Sequence, residues 1–139
     1  MTLTAHLSFN GQCEAAFKFY EGCLGGKIIT MLTWGDSPMA AQGPPDFEYK
    51  ILHATLMFGD SMLAGSDAPP GQYQKPQGFS VLVGIDDPEK GARIFNALAE
   101  NGTVQMPFQK TFWARGFGVL TDQFGVSWEI NCEQAAAQG

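Results

Sequence analysis

The chain has 139 residues, with 14 acidic and 8 basic side chains and a formal net charge of −6. That length favours a single domain, and the acidic balance argues against a nucleic-acid partner, since lysine and arginine drive phosphate binding. We find no apolar run long enough for a membrane span and no signal peptide pattern, so we expect no membrane contact. Three cysteines without a CxxC pair indicate free thiols and predict a cytoplasmic protein.

In the first half, a strand pattern at residues 3–9 is followed by a helix that begins after Asn10. The helix presents one apolar stripe, and Gly25-Gly26 supplies a left-handed stop. Three further strands are predicted at residues 27–34, 50–58 and 61–65, with a long loop at 35–49.

The second half repeats this order, with a strand at residues 79–85 and a helix that starts at Asp86-Asp87-Pro88 and ends at Gly102. Strands follow at residues 103–111, 115–121 and 126–132. We therefore predict one domain over residues 1–139 that contains a duplicated β-α-β-β-β module. Its predicted parts are module one at about 1–66, a linker at 67–77, module two at about 78–132, and a frayed tail at 133–139.

Alternation along the strands separates an apolar face, suited to packing against the helices, from a second, mixed face. The mixed face carries both histidines of the protein, His6 and His53, together with Ser80 and Glu129. A sheet with one solvated face explains the pattern equally well. The mixed face, however, lacks lysine and combines polar groups with Met57 and Leu82, as ligand pockets do. We predict that the four polar residues line a shared hollow.

Two imidazoles and a carboxylate, from His6, His53 and Glu129, can form a facial triad for one divalent ion such as Mn, Fe, Ni or Zn. No short motif such as HExxH supports this set, and a strand histidine is more often a hydrogen-bonded surface residue. Arg115, beside Phe112 and Trp113, is a candidate for binding an anionic ligand, although it can equally stack on the tryptophan. The sequence contains no phosphate-binding glycine loop, so no nucleotide cofactor is predicted.

The sequence resembles the PhnB-like branch of the glyoxalase/bleomycin-resistance/dioxygenase (vicinal oxygen chelate) superfamily over nearly its whole length. The resemblance rests on the residues from His6 to Ala16, on Leu24-Gly25-Gly26, on His53-Ala54, and above all on the run from Thr111 to Asn131. It implies an α+β fold in which two βαβββ modules form a curved, incomplete barrel, usually in a homodimer. Related sequences often carry a demethylubiquinone methyltransferase label, which the absence of a nucleotide-binding glycine loop does not support.

Metal-using relatives place one ligand on the first strand of each module and a glutamate on the last strand. By this resemblance His6 matches the first position, and Glu129, after the turn Asp122-Gln-Phe-Gly125, matches the last. The remaining position in module two corresponds to Ser80, with His53 as a substitute ligand from a neighbouring strand.

Two functions remain open. One is a metal-dependent isomerase, lyase or dioxygenase acting on neighbouring oxygens, with Glu129 as the catalytic ligand. The other is a metal-free protein of the bleomycin-resistance type that sequesters a small molecule. The predicted ligand-contacting residues are Ser80, Phe112, Trp113, Arg115 and Trp128, with Phe108 added in the second case. A dimerising module with a vestigial cavity is a third interpretation.

Overall fold

The computed structural model describes residues 1–134 and divides into two compact units, one spanning Met1–Gln74 and the other beginning at Lys75. In each unit a strand precedes a helix and three more strands, which confirms the predicted α+β repeat. The division falls within the segment predicted as a linker, residues 67–77. Residues 135–139 of the predicted tail lie outside the described part of the chain, whereas Glu133 belongs to the last strand.

The first unit is a four-stranded mixed sheet with one helix on one side. The order is β1-β4-β3-β2, with β1 parallel to β4 and the other pairs antiparallel. The elements are β1 (Ala5–Phe9), α1 (Cys13–Leu24), β2 (Lys27–Thr33), β3 (Ile51–Phe58) and β4 (Ser61–Asp67), with a short 3-10 turn at Ala40–Gln42 in the long loop.

Helix α1 covers the sheet because its apolar residues recur every three or four positions. Cys13, Ala16, Phe17 and Tyr20 are fully buried, and α1 packs against β2, β3 and β4. The helix ends at the predicted glycine, since Gly25 adopts a left-handed φ of 73°. Burial of each large side chain in this layer stabilises the unit by about 1.5–3 kcal/mol.

The second unit has the same sheet order, β5-β8-β7-β6, with β5 parallel to β8. Its elements are β5 (Val81–Gly84), α2 (Pro88–Leu98), β6 (Thr103–Gln109), β7 (Ala114–Thr121) and β8 (Ser127–Glu133). Helix α2 starts as predicted, because the Asp87 side chain accepts a hydrogen bond from the Glu89 N–H at 3.0 Å and Pro88 occupies the first turn.

The end of α2 corrects the sequence-based boundary. The helix stops at Leu98, four residues before Gly102, and Asn101 rather than Gly102 adopts the left-handed conformation, with φ 59°. A Cβ at Gly102 would lie 2.3 Å from the carbonyl oxygen of Thr121. The glycine therefore permits a close approach to β7 and is not the helix stop.

A buried aspartate holds each unit together at a different place. In the first unit Asp67 accepts hydrogen bonds from the N–H groups of Cys13 (2.9 Å) and Ile51 (2.8 Å), which joins the start of α1 to β3. In the second unit Asp122 accepts from the N–H groups of Phe124 and Val126 and from the indole Nε1 of Trp128 (2.8 Å). Each carboxylate thus satisfies several buried donors at once.

Candidate functional site

Each sheet has one side that its own helix leaves uncovered, which we call the open face. In the first unit the open face carries both histidines, as strand alternation predicts. His6 on β1 pairs in register with Ala64 on β4, and Ala64 pairs with Thr55 on β3, two residues from His53. His6 and His53 are exposed and share this face, but β4 lies between their strands, so they stand at least two strand spacings, roughly 10 Å, apart.

In the second unit the open face carries Ser80 and Glu129. The Oγ atoms of Ser80 and Ser127 lie 2.7 Å apart, which fixes Ser80 beside β8. Glu129 is half-buried between Leu82 on β5 and Val119 on β7. The prediction that these two residues share a hollow with the histidines of the first unit stays a prediction.

Strand register distinguishes Ser80 from Leu82. On β1, His6 pairs with Ala64 of β4, and on β5, Leu82 pairs with Glu129 of β8. Ser80 lies two positions before Leu82 on the same face and precedes β5, which begins at Val81. The correspondence of Ser80 to the ligand position of metal-using relatives stays a prediction.

These pairs provide a test of the predicted metal site. Each unit has a potential ligand opposite an apolar side chain, His6 opposite Ala64 and Glu129 opposite Leu82, so neither pair supplies two donors. Within residues 1–134, no three His, Cys, Asp or Glu side chains form a ligand group. Within each unit taken alone, these pairs do not make up a ligand set, and we derive no chemical step through a metal ion.

The open face of the second unit instead combines a polar central row with apolar flanks. The row is Ser127, Glu129 and Asn131 on β8. Along β7 it borders Thr121, Val119 and Phe117, and along β5 it borders Leu82 and Gly84. Apolar walls around a few directed polar groups are typical of small-molecule sites.

Two polar groups of this row have no protein partner. The Oδ1 atom of Asn131 is buried and accepts no hydrogen bond from the described residues. Within the same residues, the Glu129 carboxylate has neither a hydrogen bond nor an ion pair. A buried acceptor without a donor costs about 1–3 kcal/mol, so a donor supplied by a ligand would be favourable.

Gly84 leaves space beside these acceptors. It pairs with Asn131, and a Cβ at Gly84 would meet nothing within 4 Å. By contrast, a Cβ at Gly118 of β7 would lie 2.6 Å from the ring of Phe95 on the helix-covered face. The region over Gly84 is therefore empty, whereas the glycines of β7 accommodate core side chains.

Three aromatic rings border the same region of the second unit. Phe112 and Trp113, in the turn between β6 and β7, are exposed and lie edge-to-face with ring centroids 4.8 Å apart. Trp113 in turn contacts Phe117 at 5.5 Å, and Phe117 pairs with Asn131 on the open face. We call Phe112, Trp113 and Phe117 the aromatic cluster.

Arg115 is engaged at a strand end. Its Nε donates to the carbonyl oxygen of Glu133 (2.7 Å) and its Nη2 to that of Asp86 (2.6 Å). The guanidinium thus ties β7 to β8 and to the corner before α2. The anion contact expected from the sequence stays a prediction.

Trp128 has a structural role as well. Its side chain is fully buried on the helix-covered face, opposite in direction to the neighbouring Glu129, and its indole N–H is bound to Asp122. Phe108 also packs on that side, 5.9 Å from Phe95. We therefore leave both residues out of the ligand-contacting set.

Elsewhere, Cys13 is shielded rather than reactive. Burial, together with the negative charges of Asp67 and Glu14, raises the pKa of its thiol far above the ordinary range. A groove of about 380 Å³ at the start of α1 includes Glu14 and Lys18, which form an ion pair. We assign no function to it.

Gly84, Phe117 and Asn131 are site residues that the sequence patterns did not predict. A signal for Phe117 was present in the alternation Gly116-Phe117-Gly118, because two glycines on one face indicate close packing and leave Phe117 on the other. Asn131 follows Glu129 by two residues, which places both on one face.

A sheet of the β1-β4-β3-β2 order, repeated once and covered on one side by a helix in each copy, defines the glyoxalase/bleomycin-resistance fold. Among solved structures, a protein of this family class from Burkholderia phytofirmans has the same fold, with a TM-score of 0.64 at 14% identity, 94% coverage of this chain and 97% of that one.

Closer relatives cover almost the whole chain. Protein YjdN of Escherichia coli is 37% identical, with 94% of this chain and 95% of YjdN aligned. The crystal structure of PA1353 from Pseudomonas aeruginosa is 45% identical with a TM-score of 0.89, covering 97% of this chain and 99% of that one. The family model described as 3-demethylubiquinone-9 3-methyltransferase matches residues 1–131. The chain belongs to this PhnB-like family.

The family description names a methyltransferase, but the sequence lacks the glycine loop expected for a nucleotide-type cofactor. We therefore do not transfer that activity. None of the helices in residues 1–134 is long and apolar enough to cross a membrane.

Proposed function

We propose that this protein binds a small organic molecule on the open face of its second unit, without a resident metal ion. The observation that carries this proposal is the combination of two unpartnered acceptors, Glu129 and Asn131, with the empty space over Gly84 and the adjacent aromatic cluster. Apolar area for affinity and a few directed polar groups for orientation are together sufficient for binding.

Of the two functions that the sequence leaves open, we favour metal-free binding of a small molecule over metal-dependent catalysis. Membership in the superfamily is compatible with both, because one fold hosts many functions. The pairing of Leu82 with Glu129 supports the binding function, since the side chain directly beside the carboxylate is aliphatic and cannot share a metal ion with it.

A thermal-shift screen of several hundred soluble aromatic fragments tests the proposed binding. We expect saturable stabilisation by some fragments, because a ligand that binds only the folded state raises Tm. In Gly84→Val these shifts should disappear, since the new side chain fills the space over Gly84. Gly84 does not adopt a left-handed φ, and a Cβ at this position would meet no atom within 4 Å, so the variant should fold.

Gly22→Ala, at an exposed position of α1 with nothing near its Cβ, is the matched control and should retain every shift. A screen in which no fragment stabilises the protein, or in which the Gly84→Val variant retains all shifts, would contradict the proposed function.

The metal interpretation has its own measurement. Tag-free protein is equilibrated with Mn, Fe, Ni or Zn at micromolar concentration, and bound metal is determined by mass spectrometry. We expect substoichiometric binding that does not change in the His6→Ala, Glu129→Ala double variant. Stoichiometric metal that disappears in that variant would contradict the metal-free proposal and support the enzyme hypothesis.

The resemblance also supports a cytoplasmic homodimer, which we retain as part of the proposal. Light scattering coupled to size exclusion should give twice the mass of 15.0 kDa. A single-chain mass at micromolar concentration would contradict the dimer without affecting the site in the second unit.

A further inference from the structure

We infer that the ligand of this site is an organic cation, a protonated amine or amidinium attached to an aromatic ring. The inference rests on the proposed function, because it specifies the ligand of the same open face. It follows from the charges and hydrogen-bonding groups that the second unit leaves unmatched.

Two acceptors of the site lack a protein donor among the described residues. Glu129 presents a carboxylate and Asn131 an unpartnered carbonyl oxygen, and both side chains project from the same face of β8 about 6.8 Å apart along the strand. An ammonium group has three donors and a positive charge, so it can satisfy both acceptors at once. A carboxylate or phosphate ligand would instead add like charge beside Glu129.

Within the described residues, Glu129 has no ion pair with a lysine or arginine. Arg115, which follows the same alternation along β7 as Phe117 and Val119, donates its guanidinium N–H groups to two backbone carbonyl oxygens. A carboxylate held between Leu82 and Val119 is partly desolvated, which makes an opposite charge from the ligand favourable.

The aromatic cluster supports the same class of ligand. Phe117 is the direct neighbour of Asn131 and the diagonal neighbour of Glu129, a distance within reach of aromatic side chains. Aromatic faces attract cations and stack on planar groups, and the exposed Trp113 ring is the strongest such surface. The cluster therefore offers contacts to both the ring and the charge of the ligand.

Isothermal titration with three naphthalene probes tests the inference: 2-(aminomethyl)naphthalene, 2-(hydroxymethyl)naphthalene and 2-naphthylacetate. The probes share a ring and differ in charge, from cation to neutral to anion. We expect the amine to bind at least about tenfold more tightly than the alcohol, as a charge-assisted hydrogen bond predicts. The acetate should bind most weakly.

Glu129→Gln keeps the side-chain shape and removes the charge. We expect it to lower the affinity for the amine about tenfold and to leave the affinity for the alcohol within twofold. Glu100→Gln, at an exposed position after α2, removes the same charge from another place and should leave both affinities unchanged. This control separates local recognition from the net charge of the protein.

Equal affinities for amine and alcohol, or an amine preference that survives Glu129→Gln, would overturn the inference. If at the same time fragments still bind wild-type protein and fail to bind Gly84→Val, the proposed function stands and only the cation assignment fails. The proposed function itself is refuted if no fragment binds the wild-type protein, or if every fragment still binds Gly84→Val.

Discussion

The two units share one strand order, but they use their polar residues differently. In the first unit the open face holds two separated histidines, whereas in the second it holds adjacent acceptors beside an aromatic cluster. The buried aspartates differ too, since Asp67 joins a helix to a strand and Asp122 organises a turn. Apolar alternation thus preserves the fold of both copies, while polar positions are free to take on different roles.

The buried aspartates give the largest expected effects. Asp122→Ala removes the acceptor of three buried donors, and we expect the free energy of unfolding to fall by about 3–5 kcal/mol. Asp67→Ala removes the acceptor of two donors and should cost about 2–4 kcal/mol. Urea unfolding measures both. Asp60→Ala, in the exposed turn between β3 and β4, is the control, and a larger loss for Asp67 than for Asp122 would contradict the comparison.

The two tryptophans with buried indole N–H groups provide a sharper contrast. Trp128→Phe leaves Asp122 without one donor and loses core volume, at a cost of about 2–3 kcal/mol. In the first unit, Trp34 has a buried Nε1 with no partner in the described residues. Trp34→Phe removes that unsatisfied donor, so its change in stability should stay within about 1 kcal/mol. Equal losses in thermal unfolding would show that volume, not hydrogen bonding, decides both.

The glycines of the second unit distinguish its two sheet faces. Gly118→Ala places a methyl group 2.6 Å from the Phe95 ring and 2.9 Å from the Phe108 Cα, and we expect a loss of about 1–3 kcal/mol. Gly84→Ala, on the open face, should leave stability unchanged or slightly increase it. Denaturant midpoints of the two variants test this, and destabilisation by Gly84→Ala would mean that the open face is packed there.

The smallest effect concerns pH and the first unit alone. Because burial, then Asp67 and Glu14, raise the folded-state pKa of Cys13, the unfolded chain loses this proton first as the pH rises. Below the pKa of the thiol in the unfolded chain, about 8.5, the thiol makes its full contribution to stability. Above this pH the free energy of unfolding falls by about 1.4 kcal/mol per pH unit. Unfolding of wild-type protein and Cys13→Ala between pH 8 and 10 measures the slope, and parallel profiles would contradict it.

Local patterns were sufficient for the fold and for much of the site. Helical periodicity identified Phe17 and Tyr20 as core residues, the Asp87-Pro88 pair located the start of α2, and strand alternation placed His6 and Glu129 on faces opposite the helices. These features depend on spacing and backbone preference over a few residues, so the sequence alone carries them.

Pairing between distant strands decided the rest. Only the register showed that Leu82, not Ser80, lies beside Glu129, because a boundary shift of a few residues changes every partner across a sheet. Only the packing of side chains showed that the buried Trp128 donates its indole N–H to Asp122 and that the space over Gly84 is empty. The pair of Leu82 and Glu129 joins residues 47 positions apart along the chain, and short-range preferences hold no record of it.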